Sequence, residues 1–222
     1  MKVSVIIAVF NLDDLIEKAI QSVLIQNFPK EEREIIVIND GSTDKTIDVL
    51  NKYSKEIKII SQSNQGAVKA ANIGFKKAIG DYVIKLDGDD YFKQGILKEF
   101  VSILDKNHNM DFVYSDYYEE FDGKRKLISR KNIFETVSCG IMYRRERLSE
   151  TYYYNEQMFF AEYALLLKNP NWQGFHVKKP FYVYCRRNDS LTGNSKKVET
   201  GIKQLKEFFP KYIDEINKIR YY

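Results

Sequence analysis

The sequence predicts an α/β domain with a mostly parallel central sheet flanked by helices, then a mixed second half and a helical C-terminal tail. Three observations predict it. β-Branched runs alternate with helix-period segments up to Ser115, short apolar strands surround one helical segment beyond it, and Ile202 to Ile219 return to helical spacing.

Val3 to Phe10 reads as the first strand. Leu12, Leu15, Ile16, Ala19, Ile20, Val23 and Leu24 then form an amphipathic stripe, with Asn11 or Asp13 near the helix start. Ile35 to Asn39 is the second strand, Asp44 to Tyr53 a second helix and Ile57 to Ile60 a third strand. Ala67, Val68, Ala71, Phe75, Ala78 and Ile79 mark the buried face of a third helix, before a fourth strand over Tyr82 to Leu86. A helix over Gln94 to Leu104 and a strand over Phe112 to Ser115 complete the alternation. Beyond them, Tyr117 to Phe121 and Lys124 to Ile128 read as a hairpin, because Asp122-Gly123 tolerates the positive φ angles of a two-residue turn. Gly140 to Tyr143 and Phe181 to Tyr184 read as strands around a helix over Phe159 to Lys168. In the tail, Leu205, Phe208, Phe209, Tyr212, Ile213 and Ile216 extend the stripe, with Pro210 starting or kinking a helix. This stripe is expected to pack on the domain; the alternative is a basic, aromatic face for a membrane surface or a second copy in a homodimer.

The 222 residues suit one domain, 1–222, rather than two independent cores. With 44% hydrophobic and 30% charged residues the composition is that of an ordinary globular protein, and no run reaches the roughly 18 apolar residues of a transmembrane segment. Met1 to Phe10 is too short for a signal-peptide core followed by a cleavage site. The net charge of +4 is spread along the chain and does not indicate nucleic acid. Cys139 and Cys185 form no Cys-x-x-Cys pair, which argues against structural zinc and a disulfide framework and for a reducing cytoplasm.

In an open parallel sheet ligands bind beyond the carboxyl ends of the strands. Asn11, Asn39 to Ser42, Gln62 to Gln65 and Asp87 to Asp90 occupy those ends. In an extended segment Asp87 and Asp89 point to one side, and Gly88 lets a bulky ligand approach the backbone. Two hard oxygen donors suit Mg²⁺ or Mn²⁺, and a cation relieves the repulsion among Asp87, Asp89 and Asp90. The alternative is a turn and helix start with Asp90 as N-cap. A calcium EF-hand fails, since Phe92 and Lys98 stand where Gly and Glu are required. Neither a dinucleotide fingerprint nor a Walker A spacing is present.

The ordered set Val3 to Asn11, Ile36 to Asp44, Asn64-Gln65-Gly66 with Asn72 and Gly74, and Leu86 to Asp90 closely resembles the family 2 glycosyltransferases of the Rossmann-like GT-A fold. The resemblance implies that backbone near Val9 and the side chain of Asp40 hold the base, often uracil. It also implies that Asp87 contacts ribose or metal and that Asp89 is the principal metal ligand. Ala161 to Lys168 matches the helix whose acidic residue deprotonates the acceptor hydroxyl in inverting members, so Glu162 falls at the base, where Asp is usual, and Ala161 replaces an acidic neighbour. Ala71 stands where many relatives carry Arg before Asn72, with Lys69 the nearest cation on that helix. Arg187 stands where relatives often carry a metal-ligating His. An Arg cannot ligate a metal, but Arg187 or Arg186 can pair with a diphosphate. His108 and His176 match no motif and read as surface or strand residues.

By the same resemblance, the expected reaction is an inverting, metal-assisted transfer from a nucleotide-diphosphate sugar, in the first instance a UDP-sugar, to a hydroxyl of a glycan or lipid-linked acceptor. Residues 1–115 would bind the nucleotide sugar, 116–194 would form the acceptor side and 195–222 the tail, in a cytoplasmic protein able to sit at the inner face of the membrane. Tyr117, Tyr118, Tyr143 and the three tyrosines 152–154 are candidates for stacking on sugars, although aromatic strands usually pack. Two rival functions exist. A nucleotidyltransferase would need a Gly-rich basic loop after the first strand, which Asn11-Leu12-Asp13 is not; a catalytically silent nucleotide-binding relative is suggested by Ala161, Ala71 and the missing His.

Overall fold

The computed structural model describes residues 1–137, 139–187 and 190–219. Strands β1 (Val3–Val9), β2 (Arg33–Asn39), β3 (Lys58–Ser61) and β4 (Tyr82–Asp87) are mutually parallel in the spatial order β3-β2-β1-β4. The connections carry α1 (Ile16–Leu24), α2 (Thr46–Asn51) and α3 (Ala67–Lys77). Strand β1 is apolar on both faces because both are covered. Val5, Ile7 and Val9 join the core under α1, whereas Ile6 joins the core under α3.

Two predicted helix limits move. The first stripe begins at Leu12, yet α1 starts at Ile16, after a segment whose backbone N–H groups at Asn11, Leu12 and Asp13 are tied to Ser42 Oγ, Thr46 Oγ1 and an Asp44 carboxylate oxygen. Helical spacing puts Ile79 on the buried face of α3, but it is 62% exposed. The helix ends at Lys77 and Ala78 is extended, so the 3.6-residue period no longer applies.

After β4 come β5 (Tyr91–Phe92), which the sequence does not announce, and α4 (Ile96–Lys106). The predicted strand at 112–115 and the first arm of the hairpin are one strand, β6 (Phe112–Phe121), with register shifts at Asp116 absorbed against its parallel neighbour. Strand β7 (Lys124–Ile128) returns through Asp122 and Gly123, at φ 49° and 69°. Then follow β8 (Met142–Arg144), α5 (Arg145–Glu150), α6 (Ala161–Lys168) and β9 (Gly174–Cys185). Strand β8 runs antiparallel to β4, and β6 and β9 extend the sheet beyond it. The tail comprises α7 (Ser195–Phe208) and, after a 3₁₀ turn opened by Pro210, α8 (Ile213–Ile216). Leu205, Ile216 and Ile219 are buried in the core that also contains α3 and α6, so that part of the stripe packs on the domain, while Phe208 and Ile213 face outward. The last three residues of the predicted tail lie outside the described residues.

Helix α3 lies close on β1 and β2 because residue 74 has no side chain. A Cβ there would sit 2.2 Å from Ile6 Cγ2. Gly74→Ala is therefore expected to lose about 1–3 kcal/mol in urea unfolding by overpacking, and an unchanged midpoint would contradict this contact.

Candidate active site at the strand ends

The loops after β1, β2 and β3 are bonded to one another. Val9 C=O accepts from Asp40 N–H at 2.9 Å. Asn11, at φ 51°, accepts from Thr43 N–H at 2.8 Å through Oδ1. Buried Asp40 accepts from Gln62 Nε2 at 2.7 Å, Gln65 N–H at 2.9 Å and Gly66 N–H at 2.8 Å. Gly41 allows the approach, since a Cβ there would lie 2.7 Å from the backbone nitrogen of Asn64 and its φ is +77°. Asn11 and Asp40 thus first serve as braces that make a rigid rim.

The acidic tip after β4 is a turn, not the extended segment expected. Asp90 N–H donates to Asp87 C=O at 3.1 Å, so the alternation that would align Asp87 with Asp89 stops at the end of the strand. Gly88 is closed in by protein, because a Cβ there would meet Leu12 Cδ1 at 3.1 Å and Ala8 O at 3.3 Å. Asp87 has Lys85 Nζ at 3.0 Å on one oxygen and the Cys139 thiol at 2.6 Å on the other. Asp89 accepts from Arg187 Nη2 at 2.9 Å. Asp90 is buried and accepts from the Tyr182 hydroxyl and from Cys185 N–H at 2.7 Å. It does not cap the next helix, which begins at Ile96 behind Gly95 in the left-handed region.

Charge is crowded here. Burial and the neighbouring Asp87 raise the Asp89 carboxyl. Burial, with Asp89 and Asp87 beside it, pushes Asp90 well above the usual range. Burial also works against the Asp87 charge, but the Lys85 ammonium and the Cys139 thiol outweigh it and leave that carboxyl low. Ligating atoms of Asp87, Asp90 and Cys139 lie within 4.8 Å of one another. Burial and Asp87 hold the Cys139 thiol protonated, so it acts as a donor to Asp87 rather than as a thiolate ligand. Asp87 and Asp90 offer hard oxygen donors of the kind a divalent cation takes, whereas Asp89, expected to be the principal ligand, is held by Arg187 and is not in that group.

Lys85 carries a second bond. Its Nζ lies 2.6 Å from Glu162 Oε1, with both side chains 12% exposed. Lys85 and Asp87 share a face of β4 because they are two residues apart, and Glu162 stands in the first turn of α6 on that side. Ala161, where an acidic neighbour was expected, is fully buried, a poor place for a carboxylate. Lys85, like Cys139 and Tyr182, is a residue of the site that motif and periodicity do not single out, although a lone cation inside the apolar run Tyr82 to Leu86 signals a buried partner.

The other expected residues separate. Asn72 is buried and spends its amide on the loop before α6: Nδ2 donates to Tyr154 C=O at 2.9 Å and to Glu156 Oε1 at 3.1 Å, and Oδ1 accepts from Tyr154 N–H at 3.0 Å. Lys69 reaches the same Glu156 at 4.0 Å. Arg187 is brought to the acidic turn, whereas Arg186 turns to the hairpin, 3.8 Å from Glu119 and over the ring of Phe121. His176 is a strand residue, on β9. Its Nε2 lies 2.7 Å from Asp116 on β6, while His108 is exposed after α4. Tyr117, Tyr143 and Tyr154 are buried in the cores, and Tyr153 stacks on Phe75, so packing accounts for most of the tyrosines. Tyr152 is exposed.

The family model described as glycosyl transferase family 2 matches residues 4–175. Poly(ribitol-phosphate) beta-N-acetylglucosaminyltransferase TarS of Staphylococcus aureus is 34% identical over 113 residues, which make up 49% of this chain but only 20% of TarS. The crystal structure of S. aureus TarS 1-349 in complex with UDP-GlcNAc superposes with a TM-score of 0.75 at 22% identity, over 93% of this chain and 67% of that one. Mannosyltransferase PcManGT from Pyrobaculum calidifontis, in complex with GDP-Man and Mn²⁺, gives 0.76 at 14% identity over 98% of this chain and 68% of that one. These likenesses establish the GT-A glycosyltransferase fold. With the family model covering most of its length, the chain belongs to glycosyl transferase family 2.

Proposed function

We propose that this chain transfers a sugar, with inversion, from a nucleotide-diphosphate donor to a hydroxyl of a glycan or lipid-linked acceptor. Residues 1–115 take the donor and 116–194 form the acceptor side. The observation that carries the reading is the joining of the acidic turn and the candidate base: one ammonium, Lys85 Nζ, lies 3.0 Å from Asp87 and 2.6 Å from Glu162. Support for a UDP-sugar comes from the UDP-GlcNAc complex of TarS, and for a cation from the Mn²⁺ complex of PcManGT.

In this reading Val9, Asn11 and Asp40 line the base and ribose site, with Lys69 and Asn72 on the neighbouring helix. Asp89 and Asp87 would hold Mn²⁺ or Mg²⁺, which when bound neutralises charge on the leaving diphosphate. Arg187 moves from Asp89 to a diphosphate oxygen without leaving the turn, since a guanidinium bonds either anion through the same fork. The acceptor oxygen bonds to the anomeric carbon as its proton passes to Glu162. The bond from that carbon to the diphosphate oxygen breaks, and its electron pair leaves with the diphosphate. Positive charge develops on the sugar ring in this displacement, as in glycoside hydrolysis.

No described helix is long and apolar enough to cross a membrane. Both cysteines are free thiols, which supports a reducing cytoplasm, and the outward Phe208 and Ile213 support contact with a membrane face or a second copy. The silent-relative reading keeps Ala161, Ala71 and Arg187 in its favour and leaves the Glu162–Lys85–Asp87 arrangement a structural role only.

Asp89→Ala is expected to keep the fold and lower turnover at least about 100-fold, the scale of a term worth several kcal/mol of barrier; wild-type turnover would contradict the role of Asp89. Glu162→Gln is expected to retain donor affinity and lose about 10²–10⁴-fold in turnover, and unchanged turnover would remove it as the base. A thermal-shift panel of UDP-glucose, UDP-N-acetylglucosamine and GDP-mannose, with and without Mn²⁺, identifies the donor; stabilisation by a donor that is then not even slowly hydrolysed argues for the silent relative.

A further inference from the structure

We propose that Lys85 is a positioning residue of the transfer reaction, holding the Glu162 carboxylate aimed at the acceptor and joining the base to the donor side through Asp87. The proposal rests on the glycosyl-transfer reading and adds to it a residue outside the motifs that carry the family resemblance.

Three observations converge on it. First, the ammonium is nearly buried and contacts two carboxylates, Glu162 Oε1 at 2.6 Å and Asp87 Oδ1 at 3.0 Å, from elements far apart in sequence. Val83, two residues away on the same face of the strand, is an aliphatic residue buried in the core, so packing alone does not require a lysine there. An aliphatic residue at 85 would leave two poorly solvated carboxylates facing one another, which is strongly unfavourable. Second, Glu162 is a long, flexible side chain with rotamers to lose before it can act. Fixing Oε1 on Lys85 removes that freedom and leaves Oε2 to take the acceptor proton. Third, α6 has no side-chain cap at its start, so the ion pair to Lys85 ties this end of the helix to the sheet.

The arrangement makes the base sensitive to the donor. Asp87 and Glu162 share one cation, so any donor group that engages Asp87 alters how Lys85 divides its hydrogen bonds. Lys85 keeps its own proton throughout; the acceptor proton goes to Glu162.

The test compares Lys85→Met, Lys85→Arg, Glu162→Gln and Lys85→Met/Glu162→Gln, each first shown to be folded by thermal melting. The donor is the one the wild type turns over among the three nucleotide sugars, and UDP with Mn²⁺ is titrated by calorimetry. Lys85→Met is expected to lose about 100-fold in kcat, while its affinity for UDP with Mn²⁺ does not weaken, because Asp87 is freed of its competing cation. The double variant is expected to fall no more than about threefold below the weaker single variant, since both changes disable one unit. Lys85→Arg, which keeps the charge, should recover about tenfold over Lys85→Met. If Lys85→Met does not fold, Lys85→Gln serves in the same comparison. The proposal is overturned if kcat of Lys85→Met stays within about threefold of wild type while Glu162→Gln is inactive, if the two losses multiply, or if UDP binding alone suffers. Wild-type activity in Glu162→Gln would instead overturn the transfer reading, as would a wild type that turns over no donor.

Discussion

Three carboxylates within four residues, at the end of a buried strand, dictate much of what surrounds them. Two like charges about 5 Å apart repel by roughly 3 kcal/mol even at an effective dielectric of 20, and here the crowding is threefold. The molecule answers each carboxylate separately. Asp87 has Lys85 and the Cys139 thiol, Asp89 has Arg187, and Asp90 has the Tyr182 hydroxyl and Cys185 N–H. Burial first, and then the charge that Lys85 and Arg187 leave unbalanced, drive Asp89 and Asp90 upward.

The second half of the chain is folded around that requirement. Strand β9 pairs with β5 immediately after the turn and delivers Tyr182, Cys185 and Arg187 in succession. The segment before β8 brings Cys139 to Asp87, and β8 itself lies antiparallel on β4. Helix α6 brings Glu162 to Lys85 from the other core, and the loop before it is fastened to α3 by Asn72. The parallel half supplies the rigid rim and the acidic turn; the mixed half supplies partners for its charges.

The parallel half is readable because strands and helices there are set by local periodicity, and the strand ends follow directly from it. The hairpin is readable from Asp122-Gly123 and the tail from its stripe and Pro210. Relations between distant residues are not readable. Asp87, Asp89 and Glu162 are singled out by resemblance, but nothing within a few residues of Lys85 reveals that it meets Glu162 on α6. Asp90 looks like a helix cap because Asp commonly is one, and its actual partners are 92 and 95 residues away. The turn at Gly88 defeats the inference that Asp87 and Asp89 share a face, since that inference holds only while the chain stays extended. Asn11, Asp40 and Asn72 have the chemistry of nucleotide ligands, yet each is engaged by backbone of a neighbouring loop. Polar residues at strand ends serve both purposes, and sequence does not separate them.

In the proposed reaction, donor binding and catalysis both depend on the turn between Asp87 and Asp90 receiving a cation and, through it, a diphosphate. Anomalous diffraction from crystals soaked in Mn²⁺ and UDP tests this most directly. The expected result is a manganese peak against the carboxylates of Asp87 and Asp89, with Arg187 withdrawn from Asp89 to the diphosphate. Manganese bound elsewhere, or UDP held with Arg187 still on Asp89 and no metal at the turn, would contradict it.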